Sequence, residues 1–307
     1  MRLLCLLLAL FGYVAAGPLK DEVPLYGPSS RIIVPKDKPV TNEEFMQLLN
    51  KTELVFGGQF ARPGSFPYHV FILYAKSDGG QYICGGSLLS QTHVLTAAHC
   101  VVDMQRPARV MVGSTNVNQR GGSAQWSDIH AAHGHPYYQH GSQSFHYDIA
   151  ILQISPVRVG GAVGLTRILS NDQQLLAGGR AIISGFGTYA FYGQQSQTSD
   201  QLRYTELQIY KHDYCYRQWA TFSRGTQLNN AQICAGGRGR GSGPGDSGGP
   251  LVVQSGNGLI QIGLVSFGPM DPQLMQYRQD EVPAVYTRVS QHCDFISRYS
   301  GNTASCR

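Results

Sequence analysis

From residue 55 onward the chain is a succession of short apolar runs, each bounded by Gly, Pro, Asn or Ser. Examples are "YHVFILYA" (68–75), "ARVMVG" (108–113), "DIAILQI" (148–154), "RAIISGFG" (180–187) and "IQIGLVSFG" (260–268). Runs of this length, punctuated this often, make antiparallel strands joined by tight turns. They do not leave room for the crossover helices of a parallel sheet. The rhythm therefore predicts an all-β sandwich or barrel. The 37 glycines serve the turns that such a fold needs. One helix is expected at the C-terminal end, over about 287–299, where Val289, Cys293, Phe295, Ile296 and Tyr299 fall at helical spacing.

The first residues, "MRLLCLLLALFGYVAAG", carry one early arginine, an apolar run and small residues at Val14 and Ala16. That pattern reads as a signal peptide (1–16) cut after Ala16. The run is short of the roughly 20 residues a membrane span needs, and no other segment approaches that length. A secreted chain with no membrane partner is the expectation. Residues 17–54 hold five prolines, many charges and one helix-like stretch, "TNEEFMQLLN" (41–50), with Thr41 and Glu44 placed as a capping box. Too poor in core residues to be a domain, this stretch reads as a pro-segment.

Secretion gives the cysteines their meaning. Cys5 leaves with the signal peptide, and six remain: Cys84, Cys100, Cys215, Cys234, Cys293 and Cys306. An even number in an oxidising compartment points to three disulfides, although six cysteines admit 15 pairings. Their spacing makes no zinc motif, and "GSTNVNQRGGSAQW" (113–126) has no carboxylate for calcium, so no metal or cofactor is expected. The net charge of +5 is dispersed. The run "RGR" (238–240) reads as a solvated loop, not a nucleic-acid contact.

Three motifs carry chemistry, and each alone has a bland reading. "LTAAHC" (95–100) ends an apolar run in His99, "HYDIAILQI" (146–154) places Asp148 at the head of a buried run, and "GDSGGP" (245–250) sets Ser247 among glycines. Together they supply what acyl transfer needs. A serine hydroxyl is a weak nucleophile until a base removes its proton. An imidazole titrates near neutrality and can take that proton, then return it to the leaving amine. A carboxylate holds the imidazole tautomer. Backbone N–H groups of Gly245 and Ser247 can meet the developing oxyanion, each such donor being worth about 3 kcal/mol.

From about 55 to 300 the chain resembles the chymotrypsin-like (trypsin family) serine proteases. The order His99, Asp148, Ser247 is that family's, and "FGGQFARPGSFPYHV" (56–70), "CGGSLLS" (84–90), "SGFG" (184–187) and "VSFG" (265–268) sit where its supporting motifs do. The resemblance implies two Greek-key six-stranded β-barrels, at about 55–165 and 166–286, with a C-terminal α-helix and the triad in the cleft between barrels. It implies that Ser266, Phe267 and Gly268 hold the substrate backbone as an added strand. A monomer acting on protein or peptide substrates is the default.

The resemblance also implies a zymogen in which the amine of Val55, once freed by an activating protease, pairs with Asp246. An aspartate buried without that partner is costly, by about 3–5 kcal/mol. The chain departs from the pattern at the cut. Leu54, not Arg or Lys, precedes Val55, so an activator that cuts after an apolar residue, or the enzyme itself, is expected. "SRIIVP" (30–35) imitates an activation site, but Pro35 stands where glycine belongs. Asn50 lies in the sequon Asn50-Lys51-Thr52, so a glycan is expected there.

Further implied are the pairings Cys84–Cys100, Cys215–Cys234 and Cys293–Cys306. Two bridges common in the family lack both halves. Gly243 stands at one half of the first, and Ala181 and Val253 stand at the two ends of the second. The specificity pocket maps to Gly241 at its base, with Gly268 and Ala284 as walls. A base without carboxylate disfavours Arg and Lys and implies cleavage after Leu, Phe, Tyr or Met. The segment "PMDPQLMQYRQDEV" (269–282) is longer than the pattern provides, and Asp271, Asp280 or Glu281 could reach the pocket from it. The competing class is a catalytically silent binding module of the same fold.

Overall fold

The computed structural model describes residues 56–307 except 178, 193–194 and 257, together with the backbone of two short strands at 25–26 and 30–31. The signal peptide, Asn50, Leu54 and Val55 lie outside the described residues. Twelve strands make two closed barrels. The first has β1 (His69–Ala75), β2 (Gln81–Ser90), β3 (His93–Thr96), β4 (Gln105–Val112), β5 (Gln125–Gly134) and β6 (Ala150–Ile154). They close in the order β1-β2-β3-β6-β5-β4 and back to β1, every pair antiparallel. The second has β7 (Arg180–Gly185), β8 (Arg203–Tyr210), β9 (Gln232–Gly236), β10 (Pro250–Ser255), β11 (Gly258–Pro269) and β12 (Ala284–Arg288). Its closed order is β7-β8-β9-β12-β11-β10.

The period-two pattern of strands explains the cores. In β8, Arg203, Thr205, Leu207 and Ile209 are buried while Glu206 and Gln208 are exposed. Val70, Ile72, Leu88, Val94, Val110 and Leu152 fill the first barrel. Ile183, Leu207, Ile233, Leu251 and Ile262 fill the second. Ala181 and Val253, read as the lost ends of a bridge, are both in this second core. A third cluster, including Phe66, Phe71, Ile83, Met111, Phe186 and Val252, joins residues of both barrels. Burying a Phe or Ile side chain is worth about 1.5–3 kcal/mol, so this seam holds the barrels firmly against each other.

Among the described residues, which do not include the helix-like stretch 41–50, helices are few and short: α1 (Ala98–Val101), α2 (Gln173–Ala177), α3 (His212–Phe222), α4 (Pro272–Tyr277) and α5 (Cys293–Tyr299). The helix expected over 287–299 starts later. Residues to Arg288 stay in β12, Val289–His292 form a 3₁₀ turn, and the α-helix begins at Cys293. The reason lies in the sheet: Thr287 pairs with Gln232 and Leu264, which holds the chain extended past the start of the helical spacing.

Disulfides join Cys84 to Cys100, Cys215 to Cys234 and Cys293 to Cys306. The first ties β2 to α1, and so fixes the helix that carries His99. One buried ion pair anchors the connection between barrels. Asp172 is 1% exposed and accepts from Arg288 Nη2 at 2.5 Å and Nε at 3.0 Å. Its backbone carbonyl accepts from Leu175 and Leu176, so it also starts α2. Arg288→Ala leaves a buried carboxylate unpaired, and the expected cost is about 3 kcal/mol, read as a lowered midpoint in thermal or urea unfolding.

The two strand fragments ahead of residue 56 pair antiparallel with the barrels. Leu25–Tyr26 pairs with Pro269 and Gly268 at the end of β11. Ser30–Arg31 pairs with Ile83 and Tyr82 of β2.

Candidate active site

His99 sits in α1, which follows β3 directly, so the strand fixes the height of its ring in the cleft. Asp148 lies just before β6. Both side chains are fully buried. His99 Nδ1–H donates to Asp148 Oδ2 at 2.7 Å, and the His99 backbone N–H donates to Asp148 Oδ1 at 2.9 Å. One carboxylate thus grips both the ring and the backbone of the histidine. Ser266 Oγ donates to Asp148 Oδ2 at 2.6 Å. The sheet places that hydroxyl: Val265 pairs with Tyr286 and Phe267 with Val285, so Ser266 is the extra residue of a bulge in β11. A bulge re-aims the side chain it carries. Thr287 Oγ1 adds a bond of 2.8 Å to the Asp148 carbonyl.

Ser247 is 1% exposed and lies between two strands. Its carbonyl accepts from Gly85 of β2 at 2.7 Å, and Gly248 N–H donates to Val265 of β11 at 2.8 Å. His99 Nε2, the nitrogen on the far side of the ring from Asp148, is buried with no hydrogen-bond partner among the described residues. The Ser247 hydroxyl is therefore not bonded to it here. Such bonds are often long without substrate and tighten when one binds.

The loop before Ser247 has a backbone only glycine makes easily. Gly245 has φ +96°, and a Cβ there would lie 2.9 Å from Ile83 Cδ1 and 3.0 Å from Gly187 Cα. Among the described residues neither Gly245 N–H nor Ser247 N–H is engaged, which leaves both donors unspent.

Asp246 is buried in a cradle of glycines. Its carboxylate accepts from Gly187 N–H at 2.8 Å and Gly243 N–H at 2.9 Å. A Cβ on Gly185 or Gly187 would collide with it, which is the physical content of the "SGFG" motif. No cation meets Asp246 among the described residues. Burial raises its pKa to about 7, against the pull of the two N–H donors. Phe56 is 1% exposed, and its carbonyl accepts from Gly241 N–H, so the chain just after residue 55 is docked beside this loop.

The remaining residues also gather here. Gly241, Phe267, Gly268 and Ala284 are buried, on the loop before Ser247 or on β11 and β12. Gly243 has no room for a cysteine: a Cβ there would lie 2.7 Å from the Thr188 carbonyl and 2.9 Å from the Phe56 ring. Asp271 is committed to capping α4 and Glu281 to an ion pair with Arg278, while Asp280 is half-buried, its carbonyl accepting from Tyr214 and its Oδ1 buried with no partner among the described residues. Cys84, Cys100 and His99 lie within one ligand-sized cluster, but both sulfurs are spent in a disulfide and are not thiolate ligands.

Two contributors escaped the sequence. Phe145 stacks on Phe267 at 4.9 Å and meets His99 edge-on at 6.3 Å, roofing the cleft beside the histidine. It does so from φ +47°, and Tyr147 follows at φ +60°; such strain costs roughly 1–3 kcal/mol each and gathers at functional sites. Its place three residues before Asp148 was the available signal. Gln279, discussed below, gave none.

The family model described as "Trypsin" matches residues 55–296. Among curated proteins the chain is 31% identical to chymotrypsin-like elastase family member 1 of Macaca fascicularis, over 89% of this chain and 94% of that protein. It is 30% identical to phenoloxidase-activating factor 3 of Holotrichia diomphalia, over 80% of this chain and 72% of that protein. It is also 30% identical to mast cell protease 3 of Ovis aries, over 80% and 88%. With two closed six-stranded barrels packed along a shared seam, the chain belongs to the trypsin family of serine endopeptidases.

Proposed function

We propose that this protein is a secreted zymogen whose processed form cuts peptide bonds through an acyl-enzyme on Ser247. The observation that supports it best is the double grip of Asp148 on His99, backbone and ring at once. Nδ1 is held as the protonated nitrogen, which leaves the lone pair of Nε2 for the serine proton. In the forward step Nε2 takes the proton from Ser247 Oγ as that oxygen bonds to the substrate carbonyl carbon. Gly245 and Ser247 N–H groups receive the oxyanion. The imidazolium, facing the Asp148 carboxylate, then gives its proton to the leaving amine. Water repeats the cycle on the ester.

The zymogen half of the reading rests on Asp246. A carboxylate held between two N–H groups at full burial wants a cation, and the amine of Val55, one residue before the docked Phe56 in the sequence, is the cation that cleavage after Leu54 would supply. The pairing of Leu25–Tyr26 with Gly268 and Pro269, and of Ser30–Arg31 with Tyr82 and Ile83, supports a silent precursor too. Gly268 is the last residue of the edge, Ser266–Gly268, that a substrate strand would pair with. A base at Gly241 without carboxylate, below walls of Gly268 and Ala284, supports cleavage after Leu, Phe, Tyr or Met.

The test is secretion from cultured cells, N-terminal sequencing of the processed form, and digestion of a peptide library read by mass spectrometry. A terminus at Val55 and cuts after apolar residues are expected. Cuts after Arg or Lys would overturn the pocket reading, and activity of the uncut precursor equal to the processed form would overturn the zymogen reading.

A further inference from the structure

The segment between β11 and β12 replaces a missing bridge with a folded plug. Asp271 Oδ1 accepts from Gln273 and Leu274 N–H, Pro272 opens α4, and Met275 is 1% exposed within the core of the second barrel. The chain then turns back and buries Gln279 completely. Its Nε2 donates to the Ser242 carbonyl at 2.7 Å and to the Met275 carbonyl at 2.8 Å, so the carboxamide ties the plug to the loop leading to Ser247. Its Oε1 is buried and has no partner among the described residues. A Cβ on Gly241 would overlap this carboxamide. The glutamine thus fills the space a side chain at 241 would take, the position that the resemblance assigns to the base of the specificity pocket.

We propose that Gln279 determines which residue precedes the cut: its carboxamide is the floor of the pocket, and its unengaged Oε1 selects a side chain with an apolar body and a hydrogen-bond donor at the tip, tyrosine above all. The inference rests on the proteolytic reading given above. A buried acceptor without a donor is unfavourable, and a phenol brings one O–H to one waiting oxygen. Phenylalanine buries the same ring but leaves Oε1 unpaired. Lysine brings a charge that a neutral amide does not compensate after desolvation. Sites built to bond a hydroxyl discriminate against the analogue that lacks it.

The experiment compares two peptides that differ only in Tyr or Phe before the cut, using protein processed to Val55. A fluorophosphonate titration fixes the concentration of competent enzyme in every sample. Absent titration of the wild type would therefore indict the proteolytic reading and not this one. The wild type should favour Tyr by about ten- to hundredfold in kcat/KM, the range one unpaired buried acceptor commands. Gln279→Met should bring the ratio to about 1 while Phe is still cleaved. Equal rates for Tyr and Phe in the wild type would overturn the proposal on their own. So would a Tyr preference that survives Gln279→Met.

Discussion

Asp148→Asn lowers kcat on a peptide substrate by about 10⁴-fold and leaves the folded structure in place. The carboxylate accepts three hydrogen bonds: from the His99 backbone, from the His99 ring and from Ser266. An amide can keep its oxygen on the backbone N–H, but its NH₂ then faces His99 Nδ1. The ring answers by moving its proton to Nε2, where a base must be bare to accept from Ser247. Activity is lost through the wrong tautomer, with no change of shape. Circular dichroism and thermal unfolding of the variant should match the wild type within about 1 kcal/mol, while the rate collapses. A loss below about tenfold would mean that His99 does not depend on Asp148 for its tautomer.

Asp246→Asn should act in opposite directions before and after processing. In the precursor Asp246 is fully buried, and its pKa stands at about 7 against an ordinary 3.8. A raised carboxyl pKa means the folded state holds the proton more tightly than the unfolded chain. Its contribution to stability is therefore fully present below about pH 4 and is lost as pH rises through about 7. The span is worth about 4 kcal/mol. Asparagine removes that titration, at the cost of an amide NH₂ facing one of the two N–H donors, about 2 kcal/mol. The variant precursor should be more stable than wild type by about 2 kcal/mol at pH 8 and show little slope between pH 4 and 7. On the proposed activation, processing would give the wild-type carboxylate the Val55 amine as its partner, and the variant would have nothing to pair with that amine. Loss of a buried ion pair costs about 3–5 kcal/mol, so processed Asp246→Asn should lose at least a hundredfold in kcat/KM. Urea unfolding of the precursor across pH, with kinetics of the processed form, measures both arms. A variant precursor that is no more stable at pH 8 would contradict the view of Asp246 as a buried acid awaiting its partner.

The His99–Asp148 pair was legible because its chemistry demands particular residue types inside short local motifs, in a fixed order along the chain. The barrels were legible for a related reason: alternation such as that of residues 203–210 writes burial directly into the sequence. What decides the fine geometry was not. Nothing local marks Ser266 as a bulge, since its placement follows from the register of β11 against β12, which the sequence does not state. The late start of α5 has the same origin, because pairing of Thr287 overrides helical spacing. Phe145 reaches the site through a positive φ that its residue type disfavours, so propensity argued against it. Gln279 lies in a segment whose charges drew attention to Asp271, Asp280 and Glu281. A cap and an ion pair absorb the first and the last, Asp280 is half-buried, and full burial falls instead to the neutral Gln279.

The most direct measurement is covalent labelling with a fluorophosphonate, followed by peptide mapping, on two samples: the intact precursor and the protein processed to begin at Val55. Ser247 should be labelled in the processed sample and not, or far more slowly, in the precursor. A processed sample with a verified Val55 terminus that takes no label, or takes it at a residue other than Ser247, would contradict the assignment of Ser247 as the nucleophile.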